Sequence, residues 1–445
     1  MLSNRNNRFL LALVGFVILA AFISSRIQTS GGTVRVSEIR VPTQNGQWVA
    51  ADLFRPVSAT AENPAPLVVV VPGFQRSREA LANISIELSR RGIVVISIDP
   101  YAQGRSSSST SRRAATTEGY GAFAIVEYAA SSENLNYVDK SRIAITGHSA
   151  GGNAAIRGAN YFGKKAQESG EPSKLHSVFV SGYVLTLREE VLKDVRSNIG
   201  VSYAFYDEGA YRNELKNGDM RVAPEALRTV NLGRDASLPP VEEVELGHYY
   251  GSLEDRTLRV VHNERILHPF QPYMPEATAN QLAYFETVFE TDFGLSHNDQ
   301  FWYWKELLGA LSMIAALVAL IPLSRILLET RFFRPVIHDL PPAQPRPRGR
   351  GLALFWGLFA ISALVACFSY IPMAELSQKL FVDASSRQMT WFFPQRMNNA
   401  VMLWALLNGA LGYLLFWLSY RFFGKKNGIR PEMWGAKIGR KELFR

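Results

Sequence analysis

Two kinds of hydrophobic pattern divide the chain. Across residues 26–304 the apolar positions come in short runs, separated by polar breaks that contain glycine. Residues 65–71 (APLVVVV), 93–98 and 142–146 are continuous apolar runs, which is what strands covered on both faces of a parallel sheet require. Residues 81–91, 119–131 and 153–162 instead carry helical spacing. Residues 199–206 and 257–261 read as later strands, and 276–289 reads as a helix after the last of them. Strand and helix alternate, so the pattern predicts an α/β fold: a doubly wound, mostly parallel sheet with helices on both faces.

The second pattern is long and uninterrupted. Residues 9–23, 307–324, 352–371 and 400–420 contain no ionised side chain. A hydrocarbon core of about 30 Å takes roughly 20 apolar helical residues, so these stretches predict membrane-spanning helices. Aromatic residues stand near the ends of the later three: Trp302, Tyr303 and Trp304, then Trp356 and Tyr370, then Trp417 and Tyr420. Such rings favour the headgroup level. The first stretch is the shortest, and Arg5 and Arg8 ahead of it also fit a secretory signal peptide. Residues 1–25 are read as an uncleaved anchor, because Ile23, Ser24 and Ser25 make a poor cleavage site.

Charge follows the same division. Residues 26–304 hold 28 Lys and Arg against 32 Asp and Glu, whereas the remainder holds 20 against 7. The net charge of +9 therefore sits beside the apolar stretches, which argues against a nucleic-acid-binding surface. The segment before the first stretch has Arg5 and Arg8 and no acid, residues 325–351 hold six arginines against Glu329 and Asp339, and the tail from Arg421 holds eight basic residues against two acids. Residues 372–399 are nearly balanced. The excess of positive charge marks cytoplasmic loops, so both termini and the 325–351 loop are expected in the cytoplasm. Residues 26–304 are then an extracytoplasmic domain, and 305–445 a membrane domain with three helices and a basic cytoplasmic tail. The one cysteine, Cys367, lies inside an apolar stretch, so the exported domain has no disulfide to rely on.

The strand at 142–146 runs into GHSAGG, in which Gly147, Ser149 and Gly151 spell GxSxG between a predicted strand and a predicted helix. A tight turn there leaves no room for side chains at the flanking positions and holds the serine exposed at a helix N-terminus. A serine hydroxyl needs a base to remove its proton, and the base needs a carboxylate to orient it. Of seven histidines, His148 adjoins the serine, His338 lies in a cytoplasmic loop, and His176 and His297 lack a position after a strand. His248, His262 and His268 remain.

The stretches VVVVPGFQRSRE, RRGIVVISIDPYAQGRS and YVDKSRIAITGHSAGG together resemble the α/β-hydrolase superfamily, in its dienelactone-hydrolase and serine-peptidase-like branch, over residues 38–290. The C-terminal stretches resemble no family. The resemblance implies Ser149 as nucleophile, followed by an acid at the end of a later strand and a histidine after the last strand. On that order His268 is the base, with His262 and His248 as alternatives, and Asp207 is the acid, with Glu208 next. The backbone amides of Ala150 and Phe74 would form the oxyanion hole. Relatives often carry His-Gly where this chain has Pro72-Gly73, but a backbone donor does not depend on that histidine.

No metal-ligand, P-loop or dinucleotide motif occurs, so no cofactor or metal is expected. Asn83-Ile84-Ser85 is a formal glycosylation site, and Asn408 with Gly409 and Gly412 reads as a helix-packing patch. The function expected is a membrane-anchored serine hydrolase acting on ester-type acyl bonds through an acyl-enzyme. Its expected partners are the lipid bilayer and an acyl-ester or envelope-bound substrate, the latter supported by the aromatic run Trp391, Phe392, Phe393. A catalytically silent receptor or assembly module, a peptidase and an acyltransferase are the alternatives.

Overall fold

In the computed structural model, residues 2–434 are described, apart from 44, 45, 112, 233, 236, 338, 387, 389 and 391–395. The expectations attached to Trp391, Phe392, Phe393 and His338 lie outside the described residues. The chain forms two compact units: the described residues of Met1–Ala21, Gly309–Ser385 and Gln395–Arg445, and those of Phe22–Leu308 and Ser386–Pro394.

The larger unit is built on one eight-stranded sheet. Its strands are β1 (Val34–Pro42), β2 (Trp48–Pro56), β3 (Ala65–Val71), β4 (Val94–Ile98), β5 (Val138–His148), β6 (Ser177–Ser181), β7 (Asn198–Ser202) and β8 (Arg259–His262). They lie in the order β1-β2-β4-β3-β5-β6-β7-β8. β2 is antiparallel to both neighbours, and all pairs from β4 to β8 are parallel. This is the α/β-hydrolase fold.

The apolar runs explain the sheet's place in the core. Side chains alternate across a strand, so Leu67, Val69 and Val71 of β3 enter the core on one face while Val68 and Val70 enter the core on the other. Helices α3 (Ala122–Ser131) and α4 (Ala150–Ser169) cover the first face, and α2 (Ala82–Arg90) and α6 (Pro275–Phe289) the second. Helix α5 (Pro224–Asn231) occupies the segment between β7 and β8. β1, β2 and β6 have no counterpart in the pattern reading. β7 ends at Ser202, four residues short of the expected 206. The chain beyond it still follows the segment after β8, because the amides of Tyr203, Phe205 and Tyr206 donate to the carbonyls of His262, Glu264 and Ile266.

The smaller unit is helical. Among the described residues, four helical stretches are long and apolar enough to cross a membrane: Arg5–Gln28, Trp302–Leu328, Arg350–Leu380 and Arg396–Asn427. They fall in α1 (Leu2–Gln28), α7 (Trp302–Leu328), α8 (Arg350–Leu380) and α9 (Arg396–Ser419), the last of which continues into a further turn. All four exceed the apolar stretches read from sequence, because helical hydrogen bonding runs on into the polar flanks. α8 and α9 pack together: the Trp404 indole donates to the Ala366 carbonyl at 2.8 Å, and the Asn408 amide lies 3.4 Å from the Ser369 hydroxyl. The packing reading of Asn408 thus has a partner, but among the described residues no neighbouring group comes within 4 Å of the point where a Cβ on Gly409 or Gly412 would lie.

One residue of the first expected aromatic belt, Trp302, lies elsewhere, while Tyr303 and Trp304 are exposed. Trp302 is buried within the larger unit, where its indole donates to Gln300 at 2.9 Å. The carboxylate of Glu87 on α2 accepts the amides of Phe301 and Trp302 and pairs with Arg91 at 2.6 Å. A buried anion thus caps the start of α7, where the helix dipole favours negative charge.

Candidate active site

β5 delivers the elbow. Ser149 has φ +58° and ψ −117°, a strained conformation for a residue with a Cβ. It is held between the Ser181 carbonyl, which accepts its amide at 2.8 Å, and the first turn of α4, where its carbonyl accepts the Asn153 amide. The flanking glycines are obligatory. A Cβ on Gly151 would lie 1.9 Å from the Val71 carbonyl oxygen, and one on Gly147 would lie 2.5 Å from the same atom. The strand–turn–helix can close only with bare backbone at both positions.

The turn after β3 comes up against the elbow from the other side. A Cβ placed on Gly73 would sit 3.4 Å from the Ser149 Cβ. Phe74 follows it, and Ala150 opens α4, so the segments carrying both expected oxyanion amides flank Ser149. An electrostatic clasp fixes this turn. The Asp99 carboxylate accepts the Arg78 amide at 2.9 Å and the Arg105 amide at 2.9 Å, and it also pairs with the Arg78 guanidinium at 3.1 Å. Arg78 also pairs with Glu38 and Asp52 at 3.0 and 3.1 Å. The sequence reading missed this clasp; Asp99 at the end of an apolar run was its one visible sign.

His268 opens a 3-10 turn (His268–Tyr273) after β8. Its Nδ1 lies 2.7 Å from the Asp207 carboxylate. Burial works to raise the Asp207 carboxyl, but the bond and charge of His268, the Gly209 amide and the Tyr203 hydroxyl outweigh it and hold the group below the usual carboxylate range. The His268 ring stands 4.6 Å, centroid to centroid, from the ring of His148, the residue directly before Ser149. The structure therefore brings Asp207, His268 and the elbow into one cluster.

The alternatives fall elsewhere. Glu208 is exposed beside Asp207, and Oδ2 of Asp207 is the carboxylate oxygen that meets His268. His262 is the last residue of β8, and burial pushes it down to about 4. His248 is exposed and packs edge-on against Tyr250. His176 bonds the Ser177 hydroxyl at 2.6 Å, and His297 pairs with Glu286. His148 is held down to about 3, by burial first and then by the charges of His268 and Arg76, so it is a neutral ring. The Asn83 side chain is buried and donates to the Pro272 carbonyl at 2.6 Å, which closes it to glycosylation in the folded protein.

A second polar cluster, also missed from sequence, supports the His268 turn. Glu264 is buried and accepts from the Ser202 hydroxyl at 2.8 Å, the Gln271 amide at 3.0 Å and the Asn280 amide at 2.9 Å. These bonds join the end of β7, the 3-10 turn and α6. The cavity behind the elbow, lined in part by Thr146, His148 and Gln281, has about 20 Å³, the size of one water and too small for an acyl chain.

A family model described as PET hydrolase-like matches residues 21–217. The match takes in Ser149 and Asp207 and stops before β8. None of the curated proteins matches the chain. Among solved structures, an esterase from Pyrococcus furiosus is 12% identical with a TM-score of 0.39, over 58% of this chain and 94% of that one. A dienelactone hydrolase-like promiscuous phosphotriesterase from metagenomic libraries is 14% identical with a TM-score of 0.38, over 58% of this chain and 99% of that one. Dipeptidyl peptidase 4 of Porphyromonas gingivalis is 13% identical with a TM-score of 0.40, over 58% of this chain and 36% of that one.

Proposed function

We propose that the protein is a membrane-anchored serine hydrolase that cleaves ester-type acyl bonds through an acyl-enzyme. The observation that carries this reading is the His268–Asp207 pair at 2.7 Å, standing beside a strained glycine-lined elbow that presents Ser149. Ser149 Oγ attacks the acyl carbonyl while His268 removes its proton. Asp207 fixes the imidazole tautomer and stabilises the imidazolium that forms. Charge on the carbonyl oxygen is met by the amides of Ala150 and Phe74. His268 returns the proton to the departing alcohol, and a water activated by the same base releases the acid. The match to a PET hydrolase-like family supports hydrolysis.

The four apolar helices anchor this domain in a bilayer, with both termini in the cytoplasm and the catalytic unit outside, following the bias of basic residues. Substrates within or next to the envelope follow from that placement. Replacing Ser149 with Ala in the full chain tests the chemistry. Hydrolysis of 4-nitrophenyl acyl esters falls by at least about 10⁴-fold, and unchanged hydrolysis contradicts the reading.

A further inference from the structure

The turn after β3 carries two arginines in opposite circumstances. Arg78 is buried among the carboxylates of Asp99, Glu38 and Asp52. Arg76 is half-buried, and among the described residues it has no carboxylate within 4 Å. Its recorded side-chain bond runs to the Tyr273 hydroxyl at 3.1 Å, which uses one of the guanidinium's five N–H donors.

Arg76 also lies near Ser149. The point where Gly73 would carry a Cβ is 3.4 Å from the Ser149 Cβ and 3.9 Å from the Arg76 Cδ, so the two side chains flank the same spot. The bond to Tyr273 carries Arg76 from the oxyanion turn to the turn that begins with His268. Phe74 and Phe270, in those same two turns, are 42% and 58% exposed. A guanidinium with in-plane donors to spare is the side chain best suited to a planar oxyanion, and exposed apolar rings in the same two turns suit an apolar spacer.

We propose that Arg76, braced by Tyr273, is a specificity-determining residue that binds an anionic oxyacid group on the substrate. The substrate class is then an ester whose apolar acyl part ends in a carboxylate or phosphate, a few atoms from the scissile carbonyl. Such a substrate supplies the counter-charge that none of the described residues brings within 4 Å of Arg76 and that the carboxylates of Asp99, Glu38 and Asp52 bring to Arg78. The inference rests on the hydrolase reading above and deepens it.

The test compares two esters that differ in one charge, mono-4-nitrophenyl adipate and its methyl ester, with the full chain in an uncharged detergent. The wild type has the higher kcat/KM on the anionic ester. Arg76→Gln lowers the anionic-to-neutral ratio by roughly ten- to a hundredfold, the range expected for a hydrogen-bonded charge pair, and Arg76→Lys retains part of it. Tyr273→Phe lowers the ratio by less, and gives the reading if Arg76→Gln does not fold. In the wild type, raising salt from about 0.05 to about 0.5 M weakens the anionic preference by screening. A wild type that prefers the methyl ester overturns the inference, as does an Arg76→Gln variant that loses both esters equally. Both outcomes leave the hydrolase reading standing. Hydrolysis of neither ester, with Ser149 inert to a fluorophosphonate, overturns the hydrolase reading and this inference together.

Discussion

The two units contain similar apolar side chains and treat them in opposite ways. In the catalytic unit the valines of β3 are wholly buried, each on one or other face of the sheet. In the helical unit Phe359 and Phe368 of α8 are 60% and 74% exposed. Water drives the first arrangement by expelling apolar surface. The second is the arrangement favoured by a solvent as apolar as the side chains themselves. The difference teaches that burial identifies the core of one unit and the outer surface of the other. Polar groups reverse accordingly: buried polar clusters in the larger unit are tied by partners, as Glu264 and Asp99 are, whereas residues 307–324, 352–371 and 400–420 within α7 to α9 and the turn that follows hold no ionised side chain.

Substitutions can break or sharpen this contrast. The largest expected effect is on chemistry. Asp207→Asn leaves the unit folded and lowers kcat on 4-nitrophenyl esters by about 10³- to 10⁴-fold, since the imidazole loses its orienting anion. Glu208→Gln stays close to wild type, and the reverse ranking would assign the acid to Glu208. Next is packing. Gly151→Ala drives a methyl into the Val71 carbonyl and lowers the unfolding free energy of the catalytic unit by about 3 kcal/mol or more, read by denaturant titration.

A smaller effect separates the two solvents. Phe359 is exposed, so in water an Asp there would change stability by about 0.5 kcal/mol or less. In a bilayer Phe359→Asp costs about 2.5 to 3.5 kcal/mol and lowers the fraction of α8 inserted, measured in a membrane-insertion assay.

The smallest effect is on pH. His148 is held down to about 3 and both His176 and His262 down to about 4, so below about pH 6.5 the unfolded chain takes up protons that the folded unit refuses. Stability from these neutral rings is complete above that pH and is lost as pH falls toward 4, by up to about 1.4 kcal/mol per pH unit for each histidine. His148→Gln reduces the slope of unfolding free energy against pH, and an unchanged slope would show that His148 titrates normally.

How much of this was legible in the sequence varies with the range of the interaction. The elbow was readable because its determinants are local: three residues fix a turn that only glycines permit. The parallel strands from β3 to β5 were readable as unbroken apolar runs. β1 and β2 were not: β1 alternates between buried and exposed positions, and β2, although largely buried, sets Asp52 and Arg55 among its apolar residues. The choice among three histidines, which the resemblance leaned toward His268, meets its geometric counterpart in a bond between residues 61 apart. The Glu264 cluster was invisible and the Asp99 clasp showed only Asp99 itself, because their partners are distant in sequence and share no spacing. Arg76 and Arg78 look alike in the sequence; only the fold separates the paired guanidinium from the open one.

The most direct measurement labels the full-length protein with a fluorophosphonate and locates the adduct by mass spectrometry, alongside a folded His268→Gln variant. The account predicts one adduct, on Ser149, formed rapidly in the wild type and at least about 10³-fold more slowly without the imidazole. An adduct at another serine, or equal labelling rates in the two proteins, would contradict it.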